Sequence, residues 1–139
     1  MTEIDKLEGA ELAMAVAGAL GWERVRQARI FNQPFTDHDT YYLYHNDFFG
    51  IDMVRHIGPK CDGDYEPHRS MDQAWELDGE GWLWSTYGYL SDLEAVVGWR
   101  TRGGFRSYTS RVLWADFPTK QAAYATARCR AFLKAKEAR

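Results

Sequence analysis

The side chains best suited to bind a metal ion are concentrated between positions 37 and 72. This segment contains several aspartates, one cysteine and every histidine of the chain: His38, His45, His56, His68 and Cys61. Zinc and similar ions need such side chains to converge on one point. No pair here has the short, fixed spacing of a zinc module, and no Cys-x-x-Cys pair is present. We therefore interpret these residues as surface and loop positions, and we expect neither a metal nor another cofactor.

The sequence also lacks the motifs that identify common enzyme classes. It contains no Gly-x-Ser-x-Gly elbow, no Gly-x-x-x-x-Gly-Lys-Ser/Thr phosphate loop and no Gly-x-Gly-x-x-Gly fingerprint. Any two of the 20 acidic residues could be brought together by folding, so acid–base catalysis stays open. The pattern leans towards a protein that is not an enzyme.

A second group of residues could bind nucleic acid. Rings and guanidinium groups are interleaved between positions 99 and 114, and the candidate contacts are Trp99, Arg100, Arg102, Arg106, Tyr108 and Arg111. Cations hold phosphates and rings stack on bases. The simpler interpretation is an amphipathic hairpin, in which Trp99, Phe105 and Trp114 face the core and the arginines face water.

A third group could bind a protein. Residues 37–80 contain eleven acids and three basic residues, so this stretch could imitate a nucleic-acid backbone and enter a basic groove. Tyrosines among the acids could serve as anchors, as they do in many interfaces. The candidate contacts are Asp37, Asp39, Tyr42, Tyr44, Asp47 and Asp52. The other interpretation is a solvated loop over a core that contains these aromatics.

The charges are strongly segregated along the chain. Residues 98–139 contain ten basic residues and two acids, which contrasts with the acidic stretch at 37–80. A face of one sign can steer a partner, but the two segments could equally neutralise each other within the fold.

Three helices are predicted to carry these groups. The first covers roughly 9–20, with Gly21 as its C-terminal cap. The second begins at Ser70, where residues 70–73 read as a capping box. The last runs from about Pro118 to Lys136 with one apolar stripe.

Strands fill the intervals between the helices. The clearest hairpin is formed by residues 95–102 and 105–112, with Gly103 and Gly104 in its turn. The order of elements predicts a single α+β domain over residues 1–139, with an antiparallel or mixed sheet. The residues expected to be mostly buried are Leu12, Val16, Leu20, Trp22, Trp75, Trp82, Trp84, Trp99, Cys129 and Phe132.

Composition favours a soluble protein of a reducing compartment. No stretch approaches the roughly 20 apolar residues of a membrane helix, and residues 1–10 carry acids where a signal peptide has basic residues. The two cysteines do not suggest a disulfide framework. We therefore expect a cytoplasmic protein that does not bind a membrane.

Three stretches together carry a family resemblance. They read ELAMAVAGALGW at 11–22, SMDQAWEL at 70–77 and PTKQAAYATARCRAFL at 118–133. In this order they resemble the phage ABA sandwich domain, whose members are similar in their Gly-Trp, Ala-Trp-Glu and Cys-Arg-Ala elements. The resemblance implies an α-β-α sandwich with about three helices, a phage gene and action inside a bacterial cell. That family has no established activity, so no catalytic residue is carried over.

These observations favour a non-catalytic phage accessory protein that binds a host protein in the host cytoplasm, for example as a counter-defence inhibitor. The alternative is a nucleic-acid or nucleotide-binding protein that uses the hairpin at 99–114. An enzyme is the third hypothesis.

Overall fold

The computed structural model describes residues 3–25, 40–46, 50–57, 65–77 and 82–138. Within these ranges the α-helices are α1 (Gly9–Ala19), α2 (Met71–Trp75) and α3 (Lys120–Ala138), and Glu3–Lys6 and Trp114–Asp116 form 3-10 turns. The strands are β1 (Glu23–Val25), β2 (Thr40–Asn46), β3 (Ile51–Ile57), β4 (Leu83–Gly88), β5 (Asp92–Thr101) and β6 (Gly104–Leu113). No helix in these ranges has the length and hydropathy that a membrane span requires.

The strands form two antiparallel sheets of three strands each. The first has the order β1-β2-β3 and the second has the order β4-β5-β6. The predicted α+β class with antiparallel pairing is therefore confirmed, and the strands are divided between two sheets. Buried residues of α1, α3 and both sheets form one hydrophobic cluster.

Helix α3 is the centre of the molecule. It packs on β5 and β6, on α1 and on α2, so its residues are buried on more than the single stripe that the sequence predicted. Two of its arginines are buried as well, with Arg128 at 2% exposure and Arg130 at 9%. The helix begins at Lys120 rather than Pro118, because the Thr119 hydroxyl accepts the Ala122 amide hydrogen at 3.0 Å and so acts as the cap.

Helix α1 ends as its sequence predicts. Gly21 has a φ of +82°, and the Trp22 amide donates to the Ala17 carbonyl at 3.1 Å, which is the geometry of a glycine C-cap. The Trp22 ring then lies against Tyr65 with 4.7 Å between ring centroids. This contact joins the end of α1 to the segment that precedes α2.

The β5–β6 hairpin is confirmed, but its register differs from the expected one. Thr101 pairs with Gly104, so the turn consists of Arg102 and Gly103. Phe105 pairs with Arg100 and therefore lies on the face opposite Trp99, where it is 58% exposed. The expectation that Phe105 faces the core is therefore wrong. Its ring lies over Gly98, which has no side chain to exclude it.

Burial agrees with most of the expected core. Leu12, Val16, Trp82, Cys129 and Phe132 are buried, whereas Leu20, Trp22, Trp84 and Trp99 are partly buried and pack against the same cluster. Trp75 is the exception, since 53% of it is exposed.

Substitution of Gly98 by Ala should destabilise the second sheet. A methyl group there would collide with the Phe105 ring and lie 2.8 Å from the Arg106 carbonyl oxygen. We expect the free energy of unfolding to fall by about 1–3 kcal/mol in urea titrations, as for other overpacked sites. Gly18→Ala is the matched control, because Gly18 is in α1 with open space around it and alanine should stabilise that helix by up to about 1 kcal/mol. Equal stability of Gly98→Ala and wild type would show that Phe105 does not lie over Gly98.

Candidate protein-binding site

Helix α2 is short and is held by its cap. The Ser70 hydroxyl accepts the Gln73 amide hydrogen at 3.3 Å, which confirms the predicted start. The second half of the capping box differs from expectation. The Gln73 side-chain oxygen accepts from the Glu66 amide, while the Ser70 amide donates to the Glu66 carbonyl at 2.8 Å. The helix is therefore tied to the residues that precede it.

A buried arginine joins α2 to the centre of the molecule. Arg128 of α3 donates from Nε to the Ala74 carbonyl at 2.8 Å. Its guanidinium carbon lies 4.3 Å from the centroid of the Trp75 ring and 3.8 Å from that of the Trp84 ring. Cation–π contacts of this kind are strongest when they are shielded from water. Arg128 therefore fixes α2, α3 and β4 to one another.

Trp75 is exposed on the far side of this contact. Arg128 and Tyr124, whose ring is stacked at 6.3 Å, both come from α3 and so approach Trp75 from the helix side. The expectation that Trp75 is buried is wrong, because α2 is a helix of only five residues that lies at the edge of the core. The result is a large ring that is rigidly supported and half open to solvent.

Two carboxylates lie beside this ring. Asp72 lies one helical turn before Trp75 and Glu76, at the i, i+3 and i, i+4 spacings that make side chains neighbours on a helix surface. Both carboxylates are exposed, and neither forms an ion pair with a residue that the structure describes. We call Asp72, Trp75 and Glu76 the Trp75 surface. It can offer a cation both a π-face and negative charge.

The acidic candidates expected from the sequence are only partly visible. Asp37, Asp39 and Asp47 lie outside the described residues. Tyr44 and Asp52 belong to β2 and β3, but their side chains are outside the described part. Tyr42 is in the core with 8% exposure, and burial raises the pKa of its hydroxyl. In this structure Tyr42 is therefore not a surface anchor, contrary to expectation.

The hairpin candidates for nucleic-acid binding lie on different sides of the second sheet. Trp99 and Tyr108 are on the inner face towards α3, where the rings of Trp82, Trp99 and Tyr108 stack in series at 5.4 and 5.5 Å. Arg106 is the strand partner of Trp99 and is exposed. Arg102 is in the turn.

Arg100 and Arg111 project from the opposite face. Arg111 is occupied there, at 2.7 Å from Glu94 and 3.6 Å from Asp92. Its hydrogen bond to Glu94 and the charges of both acids raise the pKa of the guanidinium group. The six candidates therefore do not form one continuous surface.

The side of the second sheet that carries Arg111 is open. We call this side the outer face. It carries the odd-numbered residues of β4 and β6 and the even-numbered residues of β5. Its large apolar side chains are half exposed, at 64% for Leu83, 51% for Tyr87, 58% for Phe105 and 51% for Leu113. The alternation of residues along the strands predicts a face exposed to solvent. It does not predict that this face carries so much exposed apolar surface.

The described cysteine is not suited to nucleophilic catalysis. Cys129 is fully buried, and burial raises the pKa of its thiol, so it is a poor nucleophile. No three His, Cys, Asp or Glu side chains converge as metal ligands anywhere in these ranges. His38, Cys61 and the His45 side chain lie outside them, so the expected absence of a metal stays a prediction.

One cleft does bring carboxylates together. A cleft of about 570 Å³ is lined by residues that include Asp5, Glu8, Asp116 and Arg130. Lys134 pairs with Asp5 at 2.7 Å, and Arg130 donates to the Leu7 carbonyl at 3.0 Å. Burial lowers the pKa of Arg130, and Asp5 and Glu8 oppose that shift. These groups hold the N-terminal 3-10 turn on α3, which is a structural role.

His68 is a buried histidine in the segment that precedes α2. It is 4% exposed, and its carbonyl accepts the Thr126 hydroxyl of α3 at 3.0 Å. Burial, with a smaller effect from Arg69, lowers the pKa of the imidazole to about 4. The folded chain therefore keeps His68 neutral at pH values where an unfolded chain would protonate it.

The stability of the protein should consequently fall in mild acid. A folded pKa of about 4 lies below the ordinary value of 6.5, so stability is unaffected above pH 6.5 and decreases as the pH falls from 6.5 to 4. The full loss is roughly 3 kcal/mol. His68→Leu should flatten this part of the profile relative to wild type in urea titrations at several pH values. Parallel profiles for the two proteins would contradict a buried neutral His68.

The fold defines a class of protein rather than an activity: across the described ranges it is an α+β protein with two antiparallel three-stranded sheets and a central helix. No family model, curated protein or solved structure matches the chain.

Proposed function

We propose that this chain is a non-catalytic binding protein that docks on a basic groove of a partner protein through the Trp75 surface. The observation that supports this most directly is the half-exposed Trp75, whose ring Arg128 and Tyr124 contact from α3. The exposed carboxylates of Asp72 and Glu76 belong to the same short helix. A lysine or arginine of the partner would stack on the open ring and pair with Asp72 and Glu76.

A rigid aromatic residue is an efficient anchor for binding. Tryptophan is enriched among the residues that dominate interface energies, and ordering a flexible side chain on binding costs about 0.5–1.5 kcal/mol. Trp75 avoids much of that cost, because its ring is already held against the guanidinium group of Arg128 at 4.3 Å. The carboxylates would add attraction at long range and increase the rate of association.

The biological setting is part of the same proposal. The Gly-Trp, Ala-Trp-Glu and Cys-Arg-Ala elements resemble the phage ABA sandwich domain, and Ala-Trp-Glu includes Trp75 itself. A phage accessory protein would meet its partner in the host cytoplasm. Acidic residues around an aromatic anchor imitate the phosphates and bases of a nucleic acid. The partner that fits is therefore a host protein with a nucleic-acid-binding groove, such as a component of a defence system.

Charge reversal on α2 tests this proposal. Asp72→Lys with Glu76→Lys should reduce capture of host-lysate proteins on the immobilised chain at least about tenfold, because it opposes a basic groove with like charge. Glu11→Lys with Glu137→Lys is the matched control, since it makes the same charge change at exposed positions on α1 and α3. Equal capture by both double variants, measured by mass spectrometry, would refute the proposed surface.

Nucleic-acid binding is the second candidate, and one observation favours it. Arg100, Arg102 and Arg106 are exposed near the hairpin tip, and none of them is paired with another described residue. If this candidate were correct, wild-type protein would bind random DNA at micromolar concentrations and physiological salt. Changing the three arginines to Ala would then abolish binding and flatten its salt dependence by about three phosphate contacts. Our proposal predicts no such binding.

A further inference from the structure

We propose that the outer face of the second sheet is a self-association surface, on which a second copy of this chain packs around a two-fold axis. The inference is independent of the Trp75 surface, because Trp75 lies with Arg128 and Trp84 on the inner side of the sheet. It rests on the arrangement of apolar and charged residues along the three strands.

The outer face has opposite charges at its two ends. Arg100 lies at the hairpin end beside Phe105. Asp92 and Glu94 lie at the other end, where Arg111 neutralises one of the two acids. Val96 is midway between these ends, at equal distances of four residues from Arg100 and Asp92. The face is therefore divided into a basic half and an acidic half about one central residue.

A two-fold axis through Val96, in the plane of the interface and perpendicular to the strands, makes this pattern self-complementary. Each strand then lies over the same strand of the second copy in the opposite direction. Arg100 faces Asp92 of that copy, Phe105 faces Leu113, and Leu83 faces Tyr87. The register that places these residues is the observed one, with Leu83 opposite Gly98 and Phe105 opposite Arg100. Two-fold contacts of this kind are the commonest in homo-oligomers.

The other two-fold axis in the plane gives a poorer match. An axis parallel to the strands would place Arg100 opposite Arg100 and Glu94 opposite Glu94, and like charges oppose association. Face-to-face sheets usually pack with their strands within about 30° of one another. The perpendicular axis satisfies that geometry with antiparallel strands and no like-charge contact.

The outer face is small for a dimer interface. From Asp92 to Arg100 the strand is about 27 Å long, and the outer strand axes are about 10 Å apart. Such a footprint is smaller than the roughly 800 Å² per partner of a stable complex. The dimer should therefore dissociate at micromolar concentrations.

Sedimentation equilibrium of the full chain from about 5 to about 500 μM covers this range. Wild type should change from monomer to dimer across it. Arg100→Asp alone and Asp92→Arg alone should each weaken the dimer at least about tenfold, because each creates two like-charge contacts. An equimolar mixture of the two variants should form a heterodimer. At one contact the new Asp at position 100 faces the new Arg at position 92, and at the other the native Arg100 faces the native Asp92, so both contacts join opposite charges.

Arg106→Asp is the control, because Arg106 is exposed at the same hairpin on the inner side. It should leave the dimer unchanged. A wild-type chain that stays monomeric throughout the range would overturn the inference. The inference would also be overturned if the mixture of Arg100→Asp and Asp92→Arg stayed as monomeric as either variant alone. The same holds if Arg106→Asp weakened the dimer as much as Arg100→Asp does. Each variant is first checked for a melting temperature close to that of wild type.

Discussion

Truncation of Phe132 to Ala should lower the free energy of unfolding by about 3–5 kcal/mol, the range for a large ring removed from a core. Phe132 is fully buried on α3, and its ring lies 5.8 Å from that of Trp82. In a chain of this length the melting temperature should fall by roughly 10–15 °C. Calorimetry and urea titration both measure the effect.

Phe105→Ala is the matched control for this prediction. It makes the same chemical change at a position that is 58% exposed on the outer face, so the loss of stability should be no more than about 1 kcal/mol. If the two variants lost equal stability, α3 would not be the centre of the core.

Replacement of Arg128 by Ala should be almost as damaging. It removes the donor to the Ala74 carbonyl and the cation between Trp75 and Trp84, and it leaves a cavity beneath α2. We expect a loss of about 2–4 kcal/mol in urea titrations, because an orphaned carbonyl and a cavity each carry a cost. Arg106→Ala, at an exposed position, should change stability by no more than about 0.5 kcal/mol.

Arg128→Met separates packing from charge. Methionine refills much of the space without bringing a charge into the interior, and such replacements are often well tolerated. We expect Arg128→Met to be more stable than Arg128→Ala while still lacking the hydrogen bond to Ala74. If Arg128→Ala were as stable as wild type, α2 would be held by contacts other than this one.

Local signals in the sequence predicted the helices well. A glycine placed after the apolar run fixed the end of α1 at Gly21, and a hydroxyl at Ser70 fixed the start of α2, because capping depends on a few neighbouring residues. The division into two sheets depends on contacts between distant segments, which no local pattern encodes. The observed hairpin pairs Thr101 with Gly104 and places the Phe105 ring over Gly98, a contact between strands that the alternation of residues along each strand does not specify.

The candidate site was harder to predict for the same reason. Trp75 reads as a core residue because large aromatic side chains are usually buried, and Arg128 reads as a solvated cation because arginine is rarely buried. Their contact spans 53 positions, from 75 to 128, and it reverses both interpretations. A usable signal was present, since Trp75 lies in a helix too short to bury it and carries acids on both sides.

The central claim is that a partner protein covers Trp75, and fluorine NMR tests it most directly. The chain, labelled with 5-fluorotryptophan, gives one resonance for each of its six tryptophans, and Trp75→Phe assigns the resonance of interest. The partner recovered from host lysate is then added to saturation. We predict that the Trp75 resonance shifts or broadens, while that of Trp22, which lies against Tyr65 at the end of α1, stays in place. A Trp75 resonance unchanged at saturation would contradict the account.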